Sequence, residues 1–264
     1  MAELAIGTFV ATLAILTNRG VRYGTVIDLG CADGHFYLQY FALGMFPGST
    51  CVNIDANKLY EPSLRQIQQV LGGHYVIAAI SDHDGEIELN TGSHPYWASS
   101  VPAEHSYWAG SINQPGETTK VRALTLDTLV RELALKPPFL LKMDVQCTEL
   151  AALRGGEKTL AETDAVICET AVDEFPPVCE FLVKRNLALF DLTDIARFND
   201  GTLTQLYPVF LNRRLDHIKN KDAFGDSSQR NSIVARMEGR RDGILKSNAA
   251  ILAEIRGKLP QLRV

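Results

Sequence analysis

The chain lacks any C-x-x-C pair. Its five cysteines, Cys31, Cys51, Cys147, Cys168 and Cys179, are odd in number and scattered. That pattern excludes a disulfide frame and a zinc ribbon, and a reducing cytoplasm is the expected compartment. No apolar run reaches the about 20 residues of a membrane span. The N-terminal run Ala2–Leu16 is interrupted by Glu3 and has no basic segment before it, so it reads as a helix over residues 2–17 packed on a sheet edge rather than as a signal peptide. Positive charge is also short: the net charge is −5, which argues against a polyanion binder. Basic residues gather only in Arg230–Val264, eight Lys and Arg against three Asp and Glu, which leaves −10 on residues 1–229. The phosphate-binding spacing G-x-G-x-x-G is missing too, because Ala32 and His35 occupy its second and third glycine positions.

What is present centres on Val26–Gly34, VIDLGCADG. Thr25–Leu29 is apolar apart from Asp28, as expected of a strand buried on both faces of a parallel sheet. Gly30 and Gly34 break it, and His35–Leu43 follows as a helix. Strand, glycine turn and helix open a doubly wound α/β fold, whose ligands sit at the carboxyl ends of the strands. Asp28 and Asp33 make this turn acidic, which would repel a phosphate. A cofactor with a positive centre and an ammonium group suits it, and S-adenosylmethionine has both. Asp28, Gly30, Ala32, Asp33 and Gly34 are therefore candidate cofactor residues.

The strands that follow repeat the pattern. Ser49–Ile54 ends at Asp55, 27 residues after Asp28, where a carboxylate can accept from both ribose hydroxyls or cap the helix expected over Asn57–Val70. His74–Ile80 reads as one strand ending at Ser81 and Asp82, which either meet the adenine or serve as turn residues. A strand over Glu86–Asn90 precedes Thr91–Gly116, a segment without periodicity that holds Trp97, Trp108, His94 and His105. Such a segment inside a compact domain suits an acceptor-binding loop, or one that packs its own aromatics. Val121–Ala123 returns to strand, and Thr125 can cap a helix over Leu126–Leu135. Phe139–Met143, FLLKM, ends at Asp144. Lys142 and Asp144 point to one face, and a buried lysine needs a partner: Asp144, or else Glu169. A helix over Thr148–Arg154, ended by Gly155 and Gly156, leads to the strand Asp164–Cys168, which ends at Glu169. A helix over Pro176–Asn186 leads to Ala188–Thr193 and Thr202–Asn212, which read as an antiparallel hairpin closing the sheet. The expected architecture is one Rossmann-like domain over residues 1–212, followed by a polar linker and basic helical tail over 213–264. The tail can pack on the core, join two subunits or meet an anionic partner.

With those residues in place, the chain resembles the FkbM family of S-adenosylmethionine-dependent methyltransferases. Val26–Gly34 matches its V-I-D-x-G-A-x-x-G start, and Ala79–Gly85 its A-x-S-D-x-x-G stretch. Thr125–Asp127 and Leu141–Gly155 match T-L-D and L-K-x-D-x-E-G-x-E-x-x-x-L-x-G in order and spacing. Gln146 and Cys147 stand where the family has Glu and Gly. The resemblance implies methylation of a hydroxyl on a sugar, glycan or secondary metabolite. Asp144 is then expected as a general base, or as a ligand with Glu169 of a divalent ion such as Mg, with Lys142 setting its charge and His94 and His105 in reserve. A nucleic-acid methyltransferase and a non-catalytic cofactor-binding module are the rival readings. The first lacks a basic track outside the tail; the altered Gln146-Cys147 pair favours the second.

Overall fold

The computed structural model describes residues 7–90, 99–100, 117–215 and Lys246. The chain divides into two units, residues 1–215 and 216–264, and the fold below is that of the first. His94, His105, both tryptophans and the basic tail apart from Lys246 lie outside the described residues. No helix among the described residues is long and apolar enough to cross a membrane.

Three strands form the centre: β1 (Thr25–Leu29), β7 (Phe139–Met143) and β8 (Thr163–Cys168), and every residue in them is buried. Their runs of Val, Ile, Leu and Phe suit strands covered on both faces. β2 (Thr50–Asp55) and β3 (His74–Ile77) extend the sheet on one side. The hairpin of β10 (Leu187–Arg197) and β11 (Leu203–Asn212) closes the other. The order is β10-β11-β8-β7-β1-β2-β3, and the short β9 (Thr170–Ala171) also pairs with β11. β8, β7, β1, β2 and β3 are mutually parallel, and β11 runs antiparallel to β8.

Alternation along the strands divides the core. Ile27, Leu29, Leu141, Met143, Val166 and Cys168 face one cluster. That cluster includes Leu126 and Leu129 of α4 (Leu126–Glu132), Leu153 of α5 (Glu149–Arg154), and Val178 and Leu182 of α7 (Phe175–Val183). A fully buried side chain of this kind contributes about 1.5–3 kcal/mol. On the opposite face, register places Asp28 of β1 between Asn53 of β2 and Lys142 of β7. Here α2 (His35–Ala42) covers the sheet, with its Phe36 ring 5.8 Å from the Lys142 ammonium. α1 (Phe9–Asn18) is tied to β10, because Asp194 accepts from Phe9 N at 2.9 Å and Thr12 donates to Asp191 at 2.5 Å.

Several expected elements differ in extent. The strand expected over His74–Ile80 is two strands. Ala78 N donates to Asp55 O, and the chain then leaves the main sheet. Residues Ala79–Ser81 form β4 of a second sheet, β4-β6-β5, with β5 over Gly85–Asn90 and β6 over Thr118–Thr125. The helix expected from Asn57 begins as a 3-10 turn, Lys58–Tyr60, capped by the Asn57 side chain. α3 then runs over Glu61–Leu71. Beyond Gly155 and Gly156 a short further helix, α6 (Glu157–Ala161), is capped by Asp127, which accepts from Lys158 N and Thr159 N.

Candidate active site

Parallel pairing brings the strand ends to one edge, and the expected acids fall along it. Glu169 follows β8, Asp144 follows β7, Asp28 lies one residue before the end of β1, and Asp55 ends β2. A cavity of 270 Å³ opens at this edge. Its polar lining includes Asp55, Asp144, Gln146, Thr148, Ser99 and Ser100, with Gly30, Ala32 and apolar side chains such as Ile80 and Leu89 completing it. Among the described residues its charged lining is Asp55 and Asp144.

The glycine turn is shaped by packing as well as by any ligand. Gly30 has φ +68°, and a β-carbon there would lie 1.8 Å from the Asp144 carbonyl oxygen. Only glycine lets the β1 turn and the β7 loop pass so closely. Gly34, at φ +80°, abuts Ile67 of α3 in the same way. Asp55 joins two turns: Oδ2 accepts from Ala32 N and Oδ1 from Asn57 N, each at 2.8 Å. Burial, partly offset by these hydrogen bonds, raises its carboxyl above the usual value. Its capping role and its place in the cavity coexist, since each oxygen keeps an unused lone pair.

Other expected cofactor residues lie elsewhere. Asp28 has no exposed surface and no place in the cavity lining. Its Oδ1 lies 3.2 Å from Lys142 Nζ as an ion pair, while neither oxygen meets hydrogen-bond geometry. Burial pushes its carboxyl up to about 6, and Lys142 restrains the rise. Asp33 accepts from His35 N at the start of α2, and neither it nor Gly34 lines the cavity. Ser81 and Asp82 are also absent from the lining. Ser81 is buried with its hydroxyl 3.4 Å from Asp82, and Asp82 pairs with His83 at the surface. The early break at Ala78 turns both away, and Ala78, Ala79 and Ile80 line the cavity instead.

Lys142 meets both aspartates, Asp28 at 3.2 Å and Asp144 at 3.5 Å, and donates to Gly30 O at 3.3 Å. Burial alone would lower its pKa, but Asp28 and then Asp144 outweigh that and raise it, so it stays an ammonium. Asp144 is the accessible member, its side chain 22% exposed. Burial would raise its carboxyl, but Lys142, followed by hydrogen bonds from Glu169, Gln146 and Tyr207, brings it below the usual carboxylate range. Glu169 shifts the opposite way: burial and then the Asp144 charge push it well up. Adjacent carboxyls oppose each other's ionisation, and here the shift favours the charged form at Asp144 over Glu169.

Two residues of the closing hairpin complete the cluster, and neither stood out in the sequence. Tyr207 Oη lies 3.1 Å from Asp144 Oδ2 and 2.9 Å from Glu169 Oε1, so its single proton is shared between the two carboxyls, and Gln205 Nε2 donates to Glu169 Oε1 at 2.6 Å. The pairing of Gln205 with Ala171 and Leu206 with Thr170 sets them opposite the acids. Phe9 packs edge-on against the Tyr207 ring, with centroids 4.7 Å apart.

The divalent ion expected between Asp144 and Glu169 does not fit this donor set. The two carboxyls do come together, but Gln146 Nε2 stands between them, donating to Asp144 Oδ1 at 2.8 Å and Glu169 Oε2 at 2.9 Å. With Tyr207 and Gln205, every oxygen of the pair already lies within hydrogen-bond distance of a side-chain donor, and the amide nitrogen fills the space between them. No three His, Cys, Asp or Glu side chains among the described residues are grouped to hold a metal ion.

The strand order, with one antiparallel strand at the hairpin edge and helices on both faces, is that of a class I methyltransferase with a Rossmann-like fold. More particularly, the methyltransferase FkbM domain matches residues 28–190, more than half of the chain, and the chain belongs to that family. Solved structures with similar coordinates include methyltransferase FkbM from Methylobacillus flagellatus KT, at 12% identity and TM-score 0.44. That match covers 70% of this chain but 43% of that one, so the chain spans less than half the length of this relative. An rRNA methylase from Streptococcus thermophilus matches at 13% identity and TM-score 0.43, covering 80% and 98% of the two chains. The N-methyltransferase NodS from Bradyrhizobium japonicum WM9 matches at 10% identity and TM-score 0.39, covering 76% and 93%. No curated protein matches the sequence.

Proposed function

We propose that this methyltransferase uses S-adenosylmethionine to methylate a hydroxyl of a sugar, glycan or secondary metabolite. The observation that carries the reading is Asp144: an ionised carboxylate, backed by Lys142, that lines the cavity at the carboxyl edge of the sheet. The cavity also suits the cofactor's chemistry, since Asp55 and Asp144, its charged lining among the described residues, are acidic and match a sulfonium and an ammonium better than a phosphate.

When bound, the cofactor supplies an electrophilic methyl group on a positively charged sulfur. Gly30, Ala32 and Asp55 hold its nucleoside side, where Asp55 has lone pairs left for ribose hydroxyls. Asp144 would accept the proton of the acceptor hydroxyl, while the bound cofactor would supply the methyl group and leave as its neutral thioether. Holding the reactants in line supplies about 7–11 kcal/mol of the barrier. Lys142 favours the ionised form of Asp144, and burial beside Asp144 favours the neutral form of Glu169.

Mass spectrometry of the purified protein tests the cofactor, with S-adenosylmethionine or S-adenosylhomocysteine expected and calorimetry measuring the affinity of each. Asp144→Asn then tests the base across a panel of hydroxylated acceptors. Turnover is expected to fall by about 10²–10⁴, while cofactor affinity stays within a few-fold. Full turnover with cofactor bound removes Asp144 from the chemistry.

A further inference from the structure

We propose that the side-chain amide of Gln146 takes the place of a divalent cation between Asp144 and Glu169, so that the carboxylate pair is held by side-chain donors and works without a metal ion. This deepens the assignment of Asp144 as the base and rests on that assignment for its catalytic consequence.

The geometry is that of a bridge. One nitrogen, Gln146 Nε2, lies 2.8 Å from an oxygen of Asp144 and 2.9 Å from an oxygen of Glu169. A primary amide carries two N–H donors on that nitrogen, one for each carboxyl. The opposite rotamer would aim the carbonyl oxygen at two carboxyl oxygens, so the amide orientation follows from the network. The amide oxygen, meanwhile, is buried without a hydrogen-bond partner. A cation bridging the same oxygens would need the space of the nitrogen, because magnesium sits about 2.0–2.1 Å from its ligands.

The backbone fixes the amide there. Gln146 and Cys147 are successive left-handed residues, at φ +53° and +73°. Ser99, itself 1% exposed, donates its hydroxyl to the Gln146 carbonyl at 2.6 Å. Glu149 Oε1 accepts from Val145 N at 3.1 Å, closing the same loop from below. Gln146 is thus a positioning residue: it holds Asp144 toward the cavity through a contact that a cation would otherwise supply.

Terbium titration of the full chain, with emission excited through tyrosine, tests this, because the Tyr207 hydroxyl touches both carboxyls. The wild type is expected to bind terbium weakly at this centre. Gln146→Glu replaces the amide with a third carboxylate and is expected to tighten binding by at least about tenfold, with competition by magnesium. Tyr207→Phe in that background is expected to cut the sensitised emission, which locates the ion. Gln146→Ala, which vacates the bridge, is expected to gain affinity as well and decides the matter if Gln146→Glu does not fold. The inference is overturned if the wild type binds terbium as tightly as Gln146→Glu and loses it on Asp144→Asn. It is equally overturned if neither Gln146 variant gains affinity, or if the gained signal survives Tyr207→Phe. Calorimetry of the wild type with S-adenosylhomocysteine runs alongside: absent binding removes the methyltransfer reading and leaves the terbium result intact.

Discussion

Replacing Lys142 with Met removes the cation that compensates Asp28, and its cost can be worked from the structure. The ammonium lies 3.2 Å from an Asp28 oxygen and 3.5 Å from an Asp144 oxygen, with both Lys142 and Asp28 buried. At 3.2 Å and an effective dielectric of about 20, the Coulomb attraction is about 5 kcal/mol. Truncating one partner of a buried pair leaves the other charge unpaired, and about 3–5 kcal/mol of stability is lost. That is a large share of the about 5–15 kcal/mol that holds a domain folded. Acid relieves the loss. The folded pKa of Asp28 is already raised from 3.8 to about 6, chiefly by burial, and Lys142 is what holds it down. Without Lys142 it rises further. A raised folded pKa stabilises fully below the unfolded value and loses that stabilisation as pH climbs through the folded value. The Lys142→Met deficit is therefore largest near pH 8 and shrinks toward pH 5. Urea unfolding across that range measures it. The double variant Asp28→Asn/Lys142→Met, which leaves no buried charge at the pair, is expected to recover most of the deficit. A loss below about 1 kcal/mol at neutral pH, or a double variant no more stable than Lys142→Met, refutes the reasoning.

Asp55→Ala removes the acceptor for Ala32 N and Asn57 N. It is expected to cost about 1–3 kcal/mol of stability and to weaken S-adenosylhomocysteine at least about tenfold by calorimetry, whereas unchanged affinity would take Asp55 out of the cofactor site. Glu149 is buried and its carboxyl is pushed from 4.5 up to about 8, chiefly by burial. Its contribution is present below the unfolded value and lost between about pH 4.5 and pH 8, on the order of 5 kcal/mol; Glu149→Gln is expected to flatten that part of the pH-stability curve in urea unfolding, and an unchanged slope contradicts the assignment.

Much of the sheet was legible because its central strands are short apolar runs with an acid just before or just after their carboxyl ends. Val26–Leu29, Phe139–Met143 and Ala165–Cys168 are buried on both faces, so their pattern needs no knowledge of partners. The convergence of Asp55, Asp144 and Glu169 follows from parallel pairing alone. What escaped depends on register. Asp28 and Lys142 are each the one charged residue in an apolar strand, one place before its end. That shared offset could have paired them before Asp144 was chosen as the partner, but only β1 lying next to β7 makes it physical. Tyr207 and Gln205 alternate on an ordinary hairpin strand, and nothing local marks them. Their role arises where β11 passes β9 antiparallel. The strand expected over His74–Ile80 failed because Ala78 makes the last bond to β2, and Ala79–Ser81 then pair with β6, a strand much later in the chain. Gln146 and Cys147 stood out in the sequence for their chemical identity. Their left-handed backbone did not, since neither residue favours it and each costs about 1–2 kcal/mol there.

The polar row across the sheet makes little sense as a source of stability. A buried ion pair is often no better than well-packed apolar residues of the same volume, and Asp28 leaves both its oxygens without hydrogen bonds. Its effect is on charge state. Asp28 and Asp144 flank Lys142 and together keep it an ammonium against the pull of burial. The ammonium in turn leads the groups that hold the Asp144 carboxyl low, beside a partner, Glu169, whose carboxyl burial and the same Asp144 charge push up. Asp28, Lys142, Asp144 and Glu169 thus follow one another from β1 through β7 to β8, and of these four Asp144, at the end of β7, lines the cavity. An apolar pair in place of Asp28 and Lys142 would fold as well and would let burial return Asp144 toward its neutral form. On this reasoning the fold tolerates a buried charge pair because the pair sets the protonation of the one carboxylate a substrate can reach.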